Sequence, residues 1–154
     1  MKRFRLSFLA FALTWSFSAS AAELPDRVDF NFHIRGILSD RCYKCHGPDE
    51  NTREANLRLD TFANATRQSK NGSAAIVPAA PDRSELIRRI FTSDADDLMP
   101  PHDAGVTPLS GREKQLLHKW IEKGAEYKEH WAFIPVQRPP LPVLNDPAWQ
   151  LNGI

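Results

Sequence analysis

The chain has 154 residues and a hydrophobic fraction of 42%, which together predict a single globular domain with at most a short appendage. Its formal net charge of +1 argues against a nucleic-acid-binding protein and against an acidic interaction tail. Twelve prolines against seven glycines predict several irregular or extended connections.

Residues 1–21 have the pattern of a secretory signal peptide. Basic residues at positions 2, 3 and 5 precede the apolar run LSFLAFALTWSF, and Ala19-Ser20-Ala21 supplies the small residues of a cleavage site. The apolar run is shorter than the roughly 20 residues of a membrane-spanning helix, and no later segment is apolar enough to cross a bilayer. We therefore expect an exported, soluble and slightly acidic mature protein in the periplasm or cell envelope.

The first predicted helix of the mature chain leads into the motif RCYKCH. Asp29 is its expected N-cap. The residues that follow at helical spacing are Phe30, Ile34, Ile37, Leu38 and Arg41. Gly36 within this helix costs up to about 1 kcal/mol relative to alanine, which a close crossing by another helix would offset.

The segment 47–81 is polar and irregular, and we predict a long loop with one short helix near residues 61–68. A loop of this length inside a compact domain is usually functional or wrapped around something. The next helix is predicted in PDRSELIRRIF, where Asp82 and Glu85 have the spacing of a capping box after Pro81. It is expected to stop in the acidic SDADD, before the proline-punctuated loop LMPPHDAGVTPL.

The segment SGREKQLLHKWIEKGAEY predicts the last helix. Ser110 and Glu113 form a second capping box, and Gly124 has the position of a glycine that ends a helix. Its apolar stripe consists of Leu116, Leu117, Trp120 and Ile121. Residues 128–154 form a proline-rich linker or tail in which an extended path is favoured. No alternating pattern is long enough for a sheet, so the sequence predicts an all-α fold.

The motif C-x-x-C-H at Cys42, Cys45 and His46 is typical of c-type haem attachment. The two thiols add to the porphyrin vinyl groups as thioethers, and the imidazole becomes the proximal ligand of the iron. Three rivals remain for the same residues. A structural zinc site would need two further ligands, with His102 or His118 recruited singly. A disulfide would close only a tiny loop, and a thioredoxin-type pair would follow a strand.

Met99 is the candidate for the second axial ligand. It is the one methionine left after the signal peptide is removed, and two prolines follow it directly. Methionine opposite histidine raises the potential of a c-type cytochrome. His102 is the alternative ligand, a gap-filling core methionine is the alternative role, and an open sixth position would indicate a haem enzyme or a gas-binding module.

Residues 28–127 resemble class I c-type cytochromes, and in particular the planctomycete-type cytochrome c domain. The resemblance is carried by ILSDRCYKCHG, LRLDT, AAIVPAAPDRSELIRRI, LMPP and LSGREKQLLHKWIEKGAEY. It implies one haem c attached through the two cysteines, with His46 and Met99 as axial ligands. It also implies that the first and last helices cross around the haem, with Gly36 facing Trp120, and that the Pro78 carbonyl accepts a hydrogen bond from His46.

The expected surroundings of the haem follow from this assignment. Its apolar wall would consist of Leu57, Leu59, Phe62, Leu86, Ile87 and Ile90. Candidate partners of the haem propionates are Arg58, Arg88 and Arg89, with a surface role as the alternative. The expected function is single-electron transfer to transient redox protein partners rather than catalysis. The tail resembles a link to downstream domains that would lie beyond Ile154, so the domain could also serve a larger oxidoreductase.

Overall fold

The computed structural model describes residues 23–69, 71–136 and 138–139. Within these ranges the structure is helical and contains no strands, only isolated bridges that pair residue 74 with residues 68 and 84. This confirms the predicted all-α class. The predicted signal peptide and most of the tail after residue 136 lie outside the described residues. No helix in the described ranges is long and apolar enough to cross a membrane.

The α-helices are short except for the last. They are α1 (Arg35–Arg41), α2 (Tyr43–His46), α3 (Phe62–Ala65), α4 (Glu85–Phe91) and α5 (Gly111–Glu122). One π-helical turn and two 3₁₀ turns accompany them, at Phe30–Ile34, Pro81–Arg83 and Trp131–Phe133.

The first predicted helix is confirmed as the π-turn followed by α1. Asp29 caps it, because its carboxylate accepts hydrogen bonds from the backbone N–H groups of Asn31 at 2.9 Å and Phe32 at 3.2 Å. The helix is interrupted at Cys42, whose φ of −123° leaves the helical range before α2 begins. The apolar face of this helix is buried as predicted, at Phe30, Ile34, Ile37 and Leu38.

Helix α4 begins later than the sequence predicts. Asp82 lies in the 3₁₀ turn Pro81–Arg83 and not at a helix cap, so the predicted capping box with Glu85 is wrong. The residue before α4 is Ser84, which is buried. Its hydroxyl accepts from the Val77 N–H at 2.9 Å and donates to the Ala80 carbonyl at 3.0 Å. The serine therefore ties α4 to the preceding loop instead of capping the helix.

Helix α5 follows the prediction at both ends. The Ser110 hydroxyl accepts from the Glu113 N–H, and the Glu113 carboxylate accepts from the Ser110 N–H, which completes the capping box. At the other end Gly124 has a φ of +102°, in the left-handed region that glycine tolerates best. The N–H of Ala125 then donates to the Trp120 carbonyl at 2.9 Å, which closes a Schellman motif.

The first helix and α5 meet through aromatic side chains. The ring centroid of Phe30 lies 5.6 Å from that of Trp120 and 4.7 Å from that of Tyr127, and the Trp120 and Tyr127 centroids are 5.2 Å apart. These three rings lie within or against one hydrophobic core cluster that includes the apolar faces of α1, α4 and α5. The packing fixes the helix that leads into the cysteine motif.

Gly36 does not take part in this contact. The residue is exposed, and a Cβ built on it would meet no atom within 4 Å. The predicted placement of Gly36 opposite Trp120 is therefore wrong, because the close approach is made by the Phe30 side chain one and a half turns earlier.

We predict that Gly36→Ala stabilises the protein. Alanine in an exposed helix interior is favoured over glycine by up to about 1 kcal/mol, and nothing in the structure opposes the added methyl group. Chemical denaturation of the exported protein would measure the change in the free energy of unfolding. A loss of stability would contradict the placement of this residue.

Candidate functional site

His46 and Met99, the two predicted axial ligands, line the same cavity. This cavity has a volume of about 370 Å³, within the usual range of ligand pockets, and we call it the His46–Met99 cavity. Its walls come from α2, α3, α4 and the loops between them. The residues that line it are His46, Ala55, Asn56, Leu57, Leu59, Asn64, Arg67, Ser69, Asn71, Ser73, Ala75, Glu85, Leu86, Arg89, Ile90 and Met99.

The cysteine motif is anchored to the long loop by two backbone hydrogen bonds. The Glu54 N–H donates to the Cys45 carbonyl at 2.7 Å, and the Leu59 N–H donates to the His46 carbonyl at 2.9 Å. The loop therefore folds back over α2 and closes one side of the cavity.

The His46 imidazole is half-buried, and one of its nitrogen atoms has no hydrogen-bond partner. Its Nδ1 atom is buried and has no hydrogen-bond partner in the structure, so the predicted bond to the Pro78 carbonyl is not formed. Pro78 is also absent from the residues that line the cavity. Burial lowers the pKa of His46, which favours the neutral imidazole that metal ions require.

The two cysteines are separate thiols and are partly buried. Burial raises the pKa of Cys42 to about 12, so its thiol is protonated. Neither cysteine is among the residues that line the His46–Met99 cavity, although Cys45 precedes His46 directly and Cys42 lies four residues before it. Among the described residues, no three His, Cys, Asp or Glu side chains form a group that could hold a metal ion.

Met99 is held beside α4 by its own backbone. Its N–H donates to the Arg89 carbonyl at 3.1 Å. On its other side Met99 lines a second cavity of about 100 Å³ together with His102 and Lys114. His102, the alternative ligand, is exposed and does not line the His46–Met99 cavity.

The predicted apolar wall is present only in part. Leu57, Leu59, Leu86 and Ile90 line the cavity. Ile87 does not, because the step of about 100° per residue along α4 turns it away from Leu86 and Ile90. It is buried toward α5 and lines a groove there.

Phe62, the remaining member of the predicted wall, also lies elsewhere. Its side chain is 46% exposed, and its ring packs edge-on against Tyr127, with their centroids 5.9 Å apart. It lines an open groove on the surface and not the cavity.

The three arginines proposed for the propionates are engaged with carboxylates. Arg58 forms a bidentate pair inside its own loop. Arg88 and Arg89 both pair with Glu85 and Asp97, and of the three only Arg89 lines the cavity. Sequence reasoning missed the polar residues of the loop that reach the cavity, such as Arg67. The polar composition of residues 47–81 was their only signal.

A comparison with protein families agrees with the motif. Residues 42–103 match the family model described as Planctomycete cytochrome C. The resemblance to the planctomycete-type cytochrome c domain is thereby confirmed. No curated protein and no solved structure matches the chain. The matched segment includes both cysteines, His46 and Met99, and it points to a haem-based function with haem c as the cofactor.

The residues present fit such a group. An imidazole and a thioether, from His46 and Met99, line the cavity, and these are two side-chain types that haem iron accepts as ligands. Leucine and isoleucine side chains line one part of it, as an apolar macrocycle requires, and the remaining lining is polar.

Gly47, directly after His46, is required by its surroundings. A Cβ at this position would lie 2.3 Å from the backbone oxygen of Tyr43, closer than any real contact. A side chain at this position would therefore require the backbone at the end of α2 to shift.

We predict that Gly47→Ala destabilises the protein by about 1–3 kcal/mol, as expected for overpacking of a buried position. Denaturation of the exported protein would measure the effect. Gly36→Ala is the matched control, since the same substitution there enters open space. Equal stability of the two variants would contradict the geometry of α2.

Proposed function

We propose that the chain is an exported mono-haem c-type cytochrome module of the periplasm that carries single electrons. The observation that carries this proposal is the convergence of His46 and Met99 on one cavity, although they lie on different elements and far apart in the sequence. The family match over residues 42–103 supports the same assignment.

Each residue of the site has a role in this proposal. Cys42 and Cys45 would hold the porphyrin through thioethers, and His46 and Met99 would be the ligands of the iron. When bound, the haem supplies a one-electron ferric–ferrous couple. The leucine and isoleucine side chains that line the cavity would keep water from the iron, which would favour the reduced state and raise the potential.

Two features favour an electron carrier over a module with an open sixth position. Met99 already lines the cavity, and its backbone bond to Arg89 holds it beside α4. If His46 and Met99 both bind the iron, no position on it is open to a substrate. Electrons would then pass through the edge of the haem to a partner.

The proposed organisation is a haem domain at residues 28–127, after a signal peptide at residues 1–21 and before a linker or tail at residues 128–154. The partners would be redox proteins that bind transiently through small interfaces. A domain joined to the tail would be a second source or acceptor of electrons.

Covalent attachment of the haem can be tested on a denaturing gel. The protein, exported by a host that matures c-type cytochromes, should retain haem colour on a denaturing gel. Combined Cys42→Ala and Cys45→Ala substitutions should remove the colour, because both thioethers are lost. Lys44→Ala is the control, since Lys44 lies between the cysteines and is exposed. Colourless wild-type protein would contradict the proposal, and its zinc content and thiol titration would then test the zinc and disulfide alternatives.

The proposed binding of Met99 to the iron can be tested by spectroscopy. Met99→Ala should abolish the weak near-infrared band of a methionine-ligated ferric haem, allow the ferrous haem to bind carbon monoxide readily, and lower the midpoint potential. His102→Ala is the matched control and should leave all three properties unchanged. A wild-type protein that lacks the band and binds carbon monoxide at once would favour the open-site alternative.

A further inference from the structure

The His46–Met99 cavity has a polar side as well as an apolar one. Its polar lining comes mainly from residues 56 and 64–73 of the long loop. These side chains are Asn56, Asn64, Arg67, Ser69, Asn71 and Ser73. We call this set the polar rim.

The polar rim is held in place by its own hydrogen bonds. The Ser69 N–H donates to the Ser73 carbonyl at 2.8 Å, which closes a tight turn. Inside this turn the side-chain oxygen of Asn71 accepts from the Ser73 hydroxyl at 2.8 Å. The rim is therefore a preformed surface next to the cavity.

Two arginines line the cavity, and they differ in their partners. Arg89 donates to Glu85 at 2.8 Å and approaches Asp97 at 3.3 Å, so its charge is neutralised within the protein. Arg67 donates only to a backbone oxygen, that of Asn56 at 3.2 Å. Among the described residues that line the cavity, Arg67 is the cation without a carboxylate partner.

A haem has an apolar part and a polar part, as the cavity does. Its macrocycle is apolar, and its two propionates form an anionic edge, so the propionates belong where the cavity is polar and cationic. We propose that Arg67 binds a haem propionate, with the side-chain amides of the polar-rim asparagines as additional hydrogen-bond donors. This inference rests on the proposed function. The guanidinium geometry matches a carboxylate through two parallel hydrogen bonds.

The arrangement has a consequence for the iron. The ferrous haem carries one positive charge less than the ferric haem, so a cation at the propionate edge stabilises the reduced state. Arg67 also keeps the propionate ionised to lower pH. Both effects can be measured without a redox partner.

The test is a spectroelectrochemical titration of the haem-loaded, full-length protein. Arg67→Met should lower the midpoint potential. Arg67→Lys should have a midpoint potential close to that of the wild type, because lysine keeps the positive charge. Arg83→Met is the control, since Arg83 is exposed and does not line the cavity. Without the Arg67 cation the pKa of the propionate should rise. The pH range over which the midpoint potential varies should therefore lie higher in Arg67→Met than in the wild type.

The outcomes separate the inference from the proposed function. Protein that carries no covalent haem would overturn the proposed function itself. Haem-loaded Arg67→Met protein whose potential equals that of Arg83→Met would overturn only the role of Arg67. A lowered potential with an unchanged pH profile would also overturn it, since the charge would then act without binding the propionate.

Discussion

The packing of Phe30 against Trp120 and Tyr127 is the contact on which the rest of the structure depends. It joins the first helix to the end of α5, and aromatic pairs at such distances contribute roughly 0.5–1.5 kcal/mol beyond the burial of their surface. The Tyr127 hydroxyl then donates to the Leu59 carbonyl at 3.0 Å, which connects the same cluster to the long loop. These contacts hold the short helix that contains the cysteine motif in a fixed position. The helix could not do so alone, because isolated helices of a few residues are unstable in water.

The long loop completes the site because its backbone is paired with the elements around it. Its first part is bonded to the carbonyls of Cys45 and His46, and further along, the Ile76 N–H donates to the Ala65 carbonyl at 2.9 Å. Near its end the Ala79 N–H donates to α5 at 2.9 Å. Buried backbone groups need such partners, and the loop finds them outside regular secondary structure. Because its backbone is paired in this way, the loop can line the cavity with apolar side chains at Leu57 and Leu59 and with polar side chains farther along.

Local signals in the sequence were sufficient for the elements themselves. The cap at Asp29, the capping box at Ser110 and the glycine that ends α5 all occur where they were predicted, because each depends on hydrogen bonds within about four residues. The capping box predicted at Asp82 is absent, because a contact from outside this local range determines where α4 begins. The serine before α4 is bonded to a loop that folds back on it, and a spacing rule does not include that contact.

The sequence by itself determined the all-α class, the cysteine–histidine motif and the resemblance to the planctomycete-type cytochrome c domain, since these depend on periodicity and on the order of short motifs. Only the tertiary structure decided which side chains share the cavity. Met99 lines the cavity together with His46, whereas His102 and Ile87 do not. Arg67, from the polar loop, also lines the cavity, and Gly36 is exposed. These choices depend on contacts between residues far apart in the chain, where periodicity and spacing carry no information.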